Sequence, residues 1–342
     1  MDPRAAGRDG EELMRGMKDR VIGQDAVIQS IVEIVQRFRA DMCDPQRPGG
    51  SLLLLGPTGS GKTRSAEATA ECLLNNSRAV IRIDCAEFQH SHEIAKLIGS
   101  PPGYLGHRET HPLLSQEVLN QYHTDTLKLS IVLFDEIEKA SDALWNLLLG
   151  ILDKATLTLG DNRRVDFSRS LVFCTSNAGG RDITSYLRPP IGFSVSRPAN
   201  DAKLGEKIAK LGSNAAGRIF APEFLNRFDA IVSFAPLSEG DIAKILDLEV
   251  AHVQDRVSPT VQFSLTSGAK SFLLKEGTAD PRWGARAIRR SVEKRIAGPI
   301  GNLIVSGQCH PGDCIEIDVS ATGNELEFYA VKVPKVAAQS AA

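Results

Sequence analysis

The fold class of this chain is indicated most directly by one stretch, Leu52-Leu53-Leu54-Leu55-Gly56-Pro57-Thr58-Gly59-Ser60-Gly61-Lys62-Thr63. Residues 56–63 satisfy the pattern G-x-x-x-x-G-K-[ST] and lie between an apolar run and an amphipathic segment, residues 62–74. Glycines let backbone N–H groups curl around phosphates, to which the helix N-terminus adds a positive dipole. Lys62 is placed to reach the terminal phosphates, and Thr63 to offer a hydroxyl to Mg²⁺. The stretch therefore predicts a phosphate-binding loop, rather than a glycine-rich turn without a ligand.

Similar apolar runs recur along the first 235 residues and alternate with amphipathic segments. This alternation is typical of a parallel sheet covered by helices. The predicted strands are residues 51–55, 79–84, 130–135 and 170–176, with a weaker fifth at 230–234. The predicted helices are residues 62–74, 142–152 and 213–220. We expect one large α/β domain.

Two acids follow the third predicted strand. Four buried apolar residues, 131–134, drive Asp135 and Glu136 to the carboxyl edge of the sheet, beside the phosphate loop. There Asp135 would belong to the Mg²⁺ shell and Glu136 would polarise the attacking water, which favours hydrolysis over mere binding. The alternative for Glu136 is an acid that complements the dipole of a following helix.

The next strand ends near Asn177. An uncharged amide at a strand end can orient the attacking water or contact the γ-phosphate. An asparagine in a turn is the common alternative. Because the strand follows the acidic one in chain order, we favour the functional interpretation.

The pattern changes at Pro236, since proline removes a backbone donor and restricts the residue before it. Beyond it we predict helices at residues 238–253, 266–275 and 284–296, and a closing hairpin of residues 314–319 and 326–331. We expect a helical lead-in at residues 1–20, a large domain at 21–235, a small α+β domain at 236–332 and a flexible tail at 333–342.

The composition indicates an ordinary globular protein. The chain has 342 residues, a formal net charge of −2 and 42% hydrophobic residues, which excludes a polycation and an acidic disordered tail. No apolar run approaches the roughly 20 residues that span a bilayer, and residues 1–10 lack the apolar segment of a secretory signal. We expect a cytoplasmic protein without membrane contact.

The six cysteines are scattered, and none forms the paired spacing of a zinc ribbon or redox motif. Free thiols explain them best. A metal site can be imagined around His310, between Cys309 and Cys314, or around Cys85 with His90 and His92. Neither place has a second ligand pair at standard spacing, so we expect no such site.

Further motifs occur in the order and approximate spacing of the AAA+ superfamily. Beside the phosphate loop, Asp135-Glu136 and Asn177, they are Val21-Ile22-Gly23-Gln24, Pro222-Glu223-Phe224-Leu225-Asn226-Arg227 and Gly284-Ala285-Arg286. Over residues 12–331 the chain resembles, more narrowly, the second ATPase module of the Clp/Hsp100 unfoldases of the ClpB and ClpC type. This resemblance implies an AAA+ P-loop NTPase fold with a small α+β C-terminal lid domain.

The resemblance also implies an ATP-hydrolysing ring, normally a homo-hexamer, that uses ATP and Mg²⁺. Val21 and Ile22 would line the adenine pocket. Arg227 matches the arginine finger, which acts in the neighbouring subunit's site and is worth about 10³–10⁵ in rate. Arg286 matches the sensor arginine of the small domain. Taken singly, either arginine would more simply form a surface ion pair.

The segment from Gly99 to Gly106 resembles the family's pore loop. It would place Tyr104, followed by Leu105, against an extended polypeptide, whereas the alternative is a surface turn with a packed tyrosine. Residues 154–164 correspond to a second pore-facing hairpin. Here the chain departs from the family at residues 107–111, 155–156 and 159, so we expect a specialised engagement of substrate.

The tripeptide Ile191-Gly192-Phe193 resembles the loop by which some of these unfoldases dock on the ClpP peptidase. Exposed apolar loop residues often mark interaction sites. The alternative, that Ile191 and Phe193 pack the connection against the domain, is equally weighted.

Together these features predict a single-ring unfoldase or remodelling chaperone that pulls polypeptide through a pore. Residues 1–20 are too few for a first ATPase ring, a middle coiled coil or an N-domain, so we expect a single module. The alternatives are a nucleotide-switched assembly factor and a ClpP-type peptidase partner dedicated to one complex. A ClpP-like peptidase or a dedicated adaptor would be its partner. The basic residues between 282 and 295 suggest a nucleic-acid motor as a further alternative, which the pI of about 6.4 disfavours.

Overall fold

The computed structural model describes residues 7–100, 111–187, 201–258, 260–278 and 284–331, and it divides the chain into two units. Unit 1 is Met1–Pro236 and unit 2 is Leu237–Ala342. The predicted fold class is confirmed, because unit 1 contains a parallel sheet flanked by helices and unit 2 combines helices with a smaller sheet.

Unit 1 contains a five-stranded sheet and a separate hairpin. Its strands are β1 (Gly50–Leu55), β2 (Ile81–Asp84), β3 (Ser130–Asp135), β4 (Thr156–Thr158), β5 (Arg164–Asp166), β6 (Ser170–Ser176) and β7 (Ala230–Ser233). The sheet has the order β2-β3-β6-β1-β7 with every neighbouring pair parallel, while β4 and β5 pair antiparallel as the hairpin. The order brings the carboxyl ends of β3, β6 and β1 side by side.

The helices of unit 1 are α1 (Arg8–Arg20), α2 (Asp25–Arg39), α3 (Lys62–Leu74), α4 (Ala95–Ile98), α5 (Gln116–Asn120), α6 (Asp142–Lys154), α7 (Gly180–Leu187), α8 (Asp201–Ala216) and α9 (Pro222–Leu225).

Strand β1 is buried along its whole length because both faces of the sheet are covered. Successive side chains of a strand point to opposite faces. Leu53 and Leu55 accordingly join one hydrophobic cluster, and Leu52 and Leu54 join another. The resulting rigid layer fixes the position of the loop that follows β1.

Unit 2 contains α10 (Glu239–Val257), β8 (Val261–Leu265), α11 (Ser267–Thr278), α12 (Ala285–Val292), α13 (Gly298–Val305), β9 (Asp313–Val319) and β10 (Leu326–Val331). A π-helical stretch, Glu293–Ala297, joins α12 to α13. The predicted hairpin is confirmed as antiparallel β9 and β10, and β8 adds a parallel third strand. Ser238 caps α10, since its hydroxyl accepts from Asp241 N and its N–H donates to the Asp241 carboxylate.

Some predicted elements are wrong in extent. The predicted helix at residues 213–220 covers only the last turn of α8, because Phe220 leaves the helix to pack its ring 5.6 Å from that of Trp145. The strand predicted from residue 79 begins at Ile81, since Ala79 N closes a turn onto Asn76 O. Helix α2 and strand β8 were not predicted.

Candidate active site

The phosphate-loop residues 56–63 connect β1 to α3. Gly56 has φ 142°, and a Cβ there would lie 2.9 Å from the backbone oxygen of Phe234, so the position requires glycine. The buried side chain of Lys62 folds back over the loop, where its Nζ donates to Gly56 O at 2.7 Å and to Pro57 O at 2.8 Å. The lysine therefore lies against the backbone that would surround a phosphate.

Asn177, just after β6, joins this loop to the acids of β3. Its Oδ1 accepts from Lys62 Nζ at 3.0 Å and from Thr58 Oγ1 at 3.3 Å. Its Nδ2 donates to Glu136 Oε1 at 3.3 Å. One amide thus contacts both the lysine that is predicted to bind phosphate and the predicted catalytic acid.

Asp135 ends β3 next to the first turn of α3. The Thr63 hydroxyl lies 3.3 Å from each of its carboxylate oxygens, and Arg82 Nη2 on β2 donates to Oδ2 at 2.6 Å. Only 9% of the Asp135 side chain is exposed. A hydroxyl and a carboxylate at this spacing are hard oxygen donors, which fit a Mg²⁺ ion that takes its remaining ligands from phosphate and water.

Glu136 adopts a left-handed backbone, with φ 58°, which a residue other than glycine rarely does. Its N–H donates to Thr175 Oγ1 at 3.0 Å, and its carboxylate pairs with Lys139 as well as with Asn177. The hydrogen bond from Lys139 is the main cause that holds the pKa of Glu136 below its ordinary value, against the opposing effects of burial and Asp135. The group is therefore a carboxylate at neutral pH.

Thr175 is a site residue that the sequence analysis missed. Its hydroxyl donates to Asp135 Oδ1 while it accepts from the backbone N–H of Glu136. A signal was present, because a hydroxyl in a fully buried strand needs hydrogen-bond partners. Arg82 was missed as well, and so was Glu138, whose Oε1 accepts from Asn177 N at 3.0 Å.

The turn between α1 and α2 lies against the phosphate loop. Val21 is buried, with its Cγ1 3.9 Å from where a Cβ on Gly61 would stand, and Ile22 is half-buried. The Gln24 amide donates to Ala235 O at 2.9 Å and to Ser60 O at 3.4 Å. This turn is thus tied to the loop, and the contact of Val21 and Ile22 with adenine stays a prediction.

The two predicted arginines lie in different units. Arg227 follows α9 in unit 1, where its guanidinium pairs with Asp153 at the end of α6, Nη1 to Oδ1, at 2.6 Å. Arg286 lies in unit 2, exposed near the start of α12. Their roles as finger and sensor stay predictions.

The predicted pore residues Tyr104 and Leu105 lie outside the described residues, as do Ile191, Gly192 and Phe193. The flanks of the pore loop are described. Leu113 N donates to Lys96 O at 3.2 Å and Leu114 N to Leu97 O at 3.1 Å, so the two flanks run together at its base. Gly160 N, in the β4–β5 hairpin, donates to Ile98 O at 2.8 Å.

Within the described ranges, no three His, Cys, Asp or Glu side chains form a group that would hold a metal ion. Burial raises the pKa of the Cys85 and Cys174 thiols, which keeps both protonated. In the same part of the chain, no helix combines the length and apolar character required to cross a bilayer.

A family model of the AAA domain (Cdc48 subfamily) matches residues 47–231, which hold the phosphate loop, Asp135, Glu136 and Asn177. The chain belongs to this AAA family. A second model, of the C-terminal D2-small domain of ClpB, matches residues 237–317. Membership implies nucleotide binding.

Relatives of this AAA chain include two bacterial proteins. It is 37% identical over 313 residues to the chaperone protein ClpB of Bdellovibrio bacteriovorus. The matched region covers 91% of this chain and 34% of the relative. It is also 37% identical over 313 residues to the ClpC ATP-binding subunit of an ATP-dependent Clp protease of Staphylococcus saprophyticus, 91% of the chain and 36% of the relative. The predicted resemblance to ClpB and ClpC is confirmed, and the chain spans about a third of these relatives.

Two solved structures of Hsp104 share the fold. A closed-state cryo-EM reconstruction of Hsp104 with ATPγS and FITC-casein matches with a TM-score of 0.75 and 30% identity, over 94% of this chain and 52% of that one. The extended conformation of the Saccharomyces cerevisiae Hsp104–casein complex matches with a TM-score of 0.78 and 29% identity, over 95% and 53%.

Proposed function

We propose that this AAA chain hydrolyses ATP and uses the energy to pull on polypeptides. The observation that carries the proposal is the meeting of Lys62, Thr63, Asp135, Glu136 and Asn177 at one edge of the sheet. The similarity to ClpB, ClpC and Hsp104 supports the choice of a polypeptide as substrate.

In this proposal the phosphate loop binds the nucleotide. Its backbone N–H groups and the N-terminus of α3 bind phosphate oxygens, and Lys62 exchanges its contacts with loop carbonyls for the terminal phosphates. Thr63 and Asp135 would hold Mg²⁺, which when bound neutralises charge on the phosphate oxygens.

Glu136 is the proposed general base for hydrolysis. Its carboxylate is ionised at neutral pH and lies beside Asn177, whose amide also reaches Lys62. Glu136 therefore accepts a proton from the attacking water while Asn177 keeps the carboxylate close to the phosphate-binding lysine.

Replacement of the base tests this assignment. Glu136→Gln removes the proton acceptor but keeps the side-chain volume, so kcat for ATP hydrolysis is expected to fall by about 10²–10⁴. Affinity for a fluorescent ATP analogue should stay near wild type. Glu87→Gln, an exposed acid of the same unit, is the control and should change neither quantity. Phosphate release by Glu136→Gln at the wild-type rate would refute the base.

Assembly into a homo-hexamer that shares nucleotides between subunits is the second part of the proposal. Support comes from Arg227, which matches the finger motif and is 44% exposed in the single chain, so a neighbour's phosphate could reach it. A mass measurement with an ATP analogue tests for six copies, and a mass of one copy at all concentrations would contradict the ring.

The pore loop is expected to grip the polypeptide through Tyr104. Tyr104→Ala should leave basal ATP hydrolysis largely intact and abolish unfolding of a tagged fluorescent protein, because only bulk on the loop is removed. Tyr122→Ala removes a partly buried tyrosine that packs against the core of unit 1, and it therefore controls for general destabilisation. Normal unfolding by Tyr104→Ala would contradict the pore assignment.

Three finer points belong to the same proposal. A ClpP-like peptidase or a dedicated adaptor as partner is supported by Ile191-Gly192-Phe193 in the sequence. The cytoplasm as location is supported by the six free thiols, since disulfides are rare in a reducing compartment. Coupling of hydrolysis to the small domain is supported by the match of Arg286 to the sensor arginine.

A further inference from the structure

The backbone of Arg227 is fixed to the sheet and to the core. Its carbonyl oxygen accepts from Arg47 Nη2 at 2.7 Å and from Ser51 Oγ at 3.3 Å. The rings of Phe224 and Phe228, on either side of it, pack edge-on with their centroids 5.2 Å apart. These contacts fix the position of the Arg227 backbone. The direction of its long side chain is set by the ion pair that it forms.

That ion pair joins Arg227 to Asp153. The two side chains are 44% and 29% exposed, so the pair is screened by water and is weak enough to exchange for another anion. Asp153 lies in the last turn of α6, where the helix dipole disfavours a negative charge. The stability of α6 therefore gives no reason for an acid here, whereas the guanidinium of Arg227 does.

Asp153 also stands at the base of the β4–β5 hairpin. Ala155, with φ 46°, turns the chain out of α6, donates to Ile151 O at 2.8 Å and accepts from Phe167 N at 2.7 Å. These bonds clamp both ends of the hairpin onto the last turn of α6. A displacement of the hairpin is thus transmitted to the turn that carries Asp153.

We propose that Asp153 is the positioning residue of Arg227 and makes this arginine respond to the β4–β5 hairpin. The inference rests on the proposed function, in which Arg227 acts on a neighbour's nucleotide and the hairpin faces the pore. Asp153 holds the guanidinium of Arg227 away from the hydrophobic core of unit 1, in a position to contact the phosphates bound by the neighbouring subunit. A polypeptide that moves the hairpin shifts Asp153 and therefore Arg227, which changes the rate of ATP hydrolysis in the neighbouring subunit.

The test measures kcat and KM for ATP, with and without casein as an unfolded polypeptide. Asp153→Asn is expected to lower kcat by about tenfold or more, a fraction of the roughly 10³–10⁵ that a finger supplies. KM should stay within about twofold, because the subunit's own phosphate loop is unchanged. Stimulation by casein should disappear. Asp153→Glu keeps the charge and should restore much of both.

Two comparisons separate positioning from a structural role. In an Arg227→Ala background, Asp153→Asn should cause no further loss, since the residue it positions is gone. Asp9→Asn breaks another Asp–Arg pair, with Arg39 Nη1 at 2.7 Å, and should leave kcat and stimulation unchanged. This control lies in α1, away from the hairpin.

Several results would overturn the proposal. Wild-type kcat and stimulation in Asp153→Asn, an additive loss in the double variant, or no rescue by Asp153→Glu would each do so. A rise in basal kcat would show that Asp153 sequesters the arginine instead. Absence of ATP hydrolysis by the wild-type chain would contradict the proposed function itself, and is therefore distinguished from failure of this inference.

Discussion

Glu136 combines an energetically unfavourable backbone conformation with a carboxylate whose two oxygens both have hydrogen-bond partners. A non-glycine residue in the left-handed region costs about 1–3 kcal/mol and persists where surrounding contacts determine it. Here the N–H is held by Thr175, and the carboxylate lies between Asn177 and Lys139. The conformation turns the acid toward Asn177 instead of letting it continue the direction of β3, which is what its proposed role as a base requires.

Glu276 links the stability of unit 2 to pH. Arg295 Nη2 donates to its Oε1 at 2.9 Å and Ser291 Oγ to its Oε2 at 2.6 Å. Chiefly through the hydrogen bond from Arg295, these contacts hold the pKa of Glu276 below its ordinary value. Its ionised form therefore stabilises the fold above the ordinary pKa of a glutamate, and this contribution is lost as pH falls through the lowered value.

Replacement of that carboxylate should reduce the pH dependence. Glu276→Gln is expected to lower the free energy of unfolding at pH 7 by about 0.5–1 kcal/mol, because the pair is partly exposed. In urea titrations its stability should decline less between neutral and acid pH than that of the wild type. Glu316→Gln, exposed on β9, should follow the wild-type curve. Equal slopes for Glu276→Gln and wild type would contradict the linkage.

Among individual side chains, the sequence predicts those at the carboxyl ends of strands or in the loops that follow, and it misses those inside strands. Lys62, Asp135 and Asn177 were predicted to meet because carboxyl ends of parallel strands share an edge. Thr175 lies two residues before Asn177, inside β6, where a side chain commonly packs in the core. Its partners depend on β3 and β6 being neighbours, which no local pattern in the sequence specifies.

Helix α7 approaches the phosphate loop at its first residue. A Cβ on Gly180 would lie 2.9 Å from Pro57 Cα and 3.1 Å from Pro57 N. Backbone atoms cannot yield as a flexible side chain does, so alanine here must displace the loop or the helix. The same change would otherwise favour a helix, by up to about 1 kcal/mol.

Gly180→Ala is therefore expected to weaken nucleotide binding. Overpacking costs about 1–3 kcal/mol, and an equal loss of binding free energy would raise Kd by about 5- to 150-fold, measured by titration of a fluorescent ATP analogue. The matched control is Gly150→Ala on α6, where a Cβ meets nothing within 4 Å. Unchanged affinity in Gly180→Ala, or an equal loss in the control, would argue against the close approach.

Helix α2 and strand β8 differ in how far the sequence alone specifies them. Helix α2 buries Val27, Ile28, Ile31 and Val35 on one face, so its helical period is present in the sequence. Strand β8 has only five residues between two helices, and it pairs with β9 far along the chain. Its identity depends on that pairing and could not be predicted locally.

The order of strands across unit 1 explains why Asn177 is central to the site. β6 lies between β3 and β1. The residue after β6 must therefore lie between Asp135, which ends β3, and the phosphate loop, which follows β1. Asn177 contacts both sides for this reason, and chain order alone did not establish it.

Unit 2 has a hydrophobic core of its own, which includes Leu246, Val261, Leu273, Ile296 and Ile317. A unit with its own core can in principle fold alone. We expect a fragment of residues 237–342 to unfold cooperatively in urea, as followed by circular dichroism.

Two substitutions show whether that core stabilises the fragment. Leu273 is fully buried, so Leu273→Ala should lower the free energy of unfolding by about 2–5 kcal/mol through lost burial and a cavity. Val305 is 90% exposed, and Val305→Ala should change it by no more than about 0.5 kcal/mol. A fragment that unfolds without a cooperative transition, or that loses the same stability from both changes, would show that unit 2 depends on unit 1 for its structure.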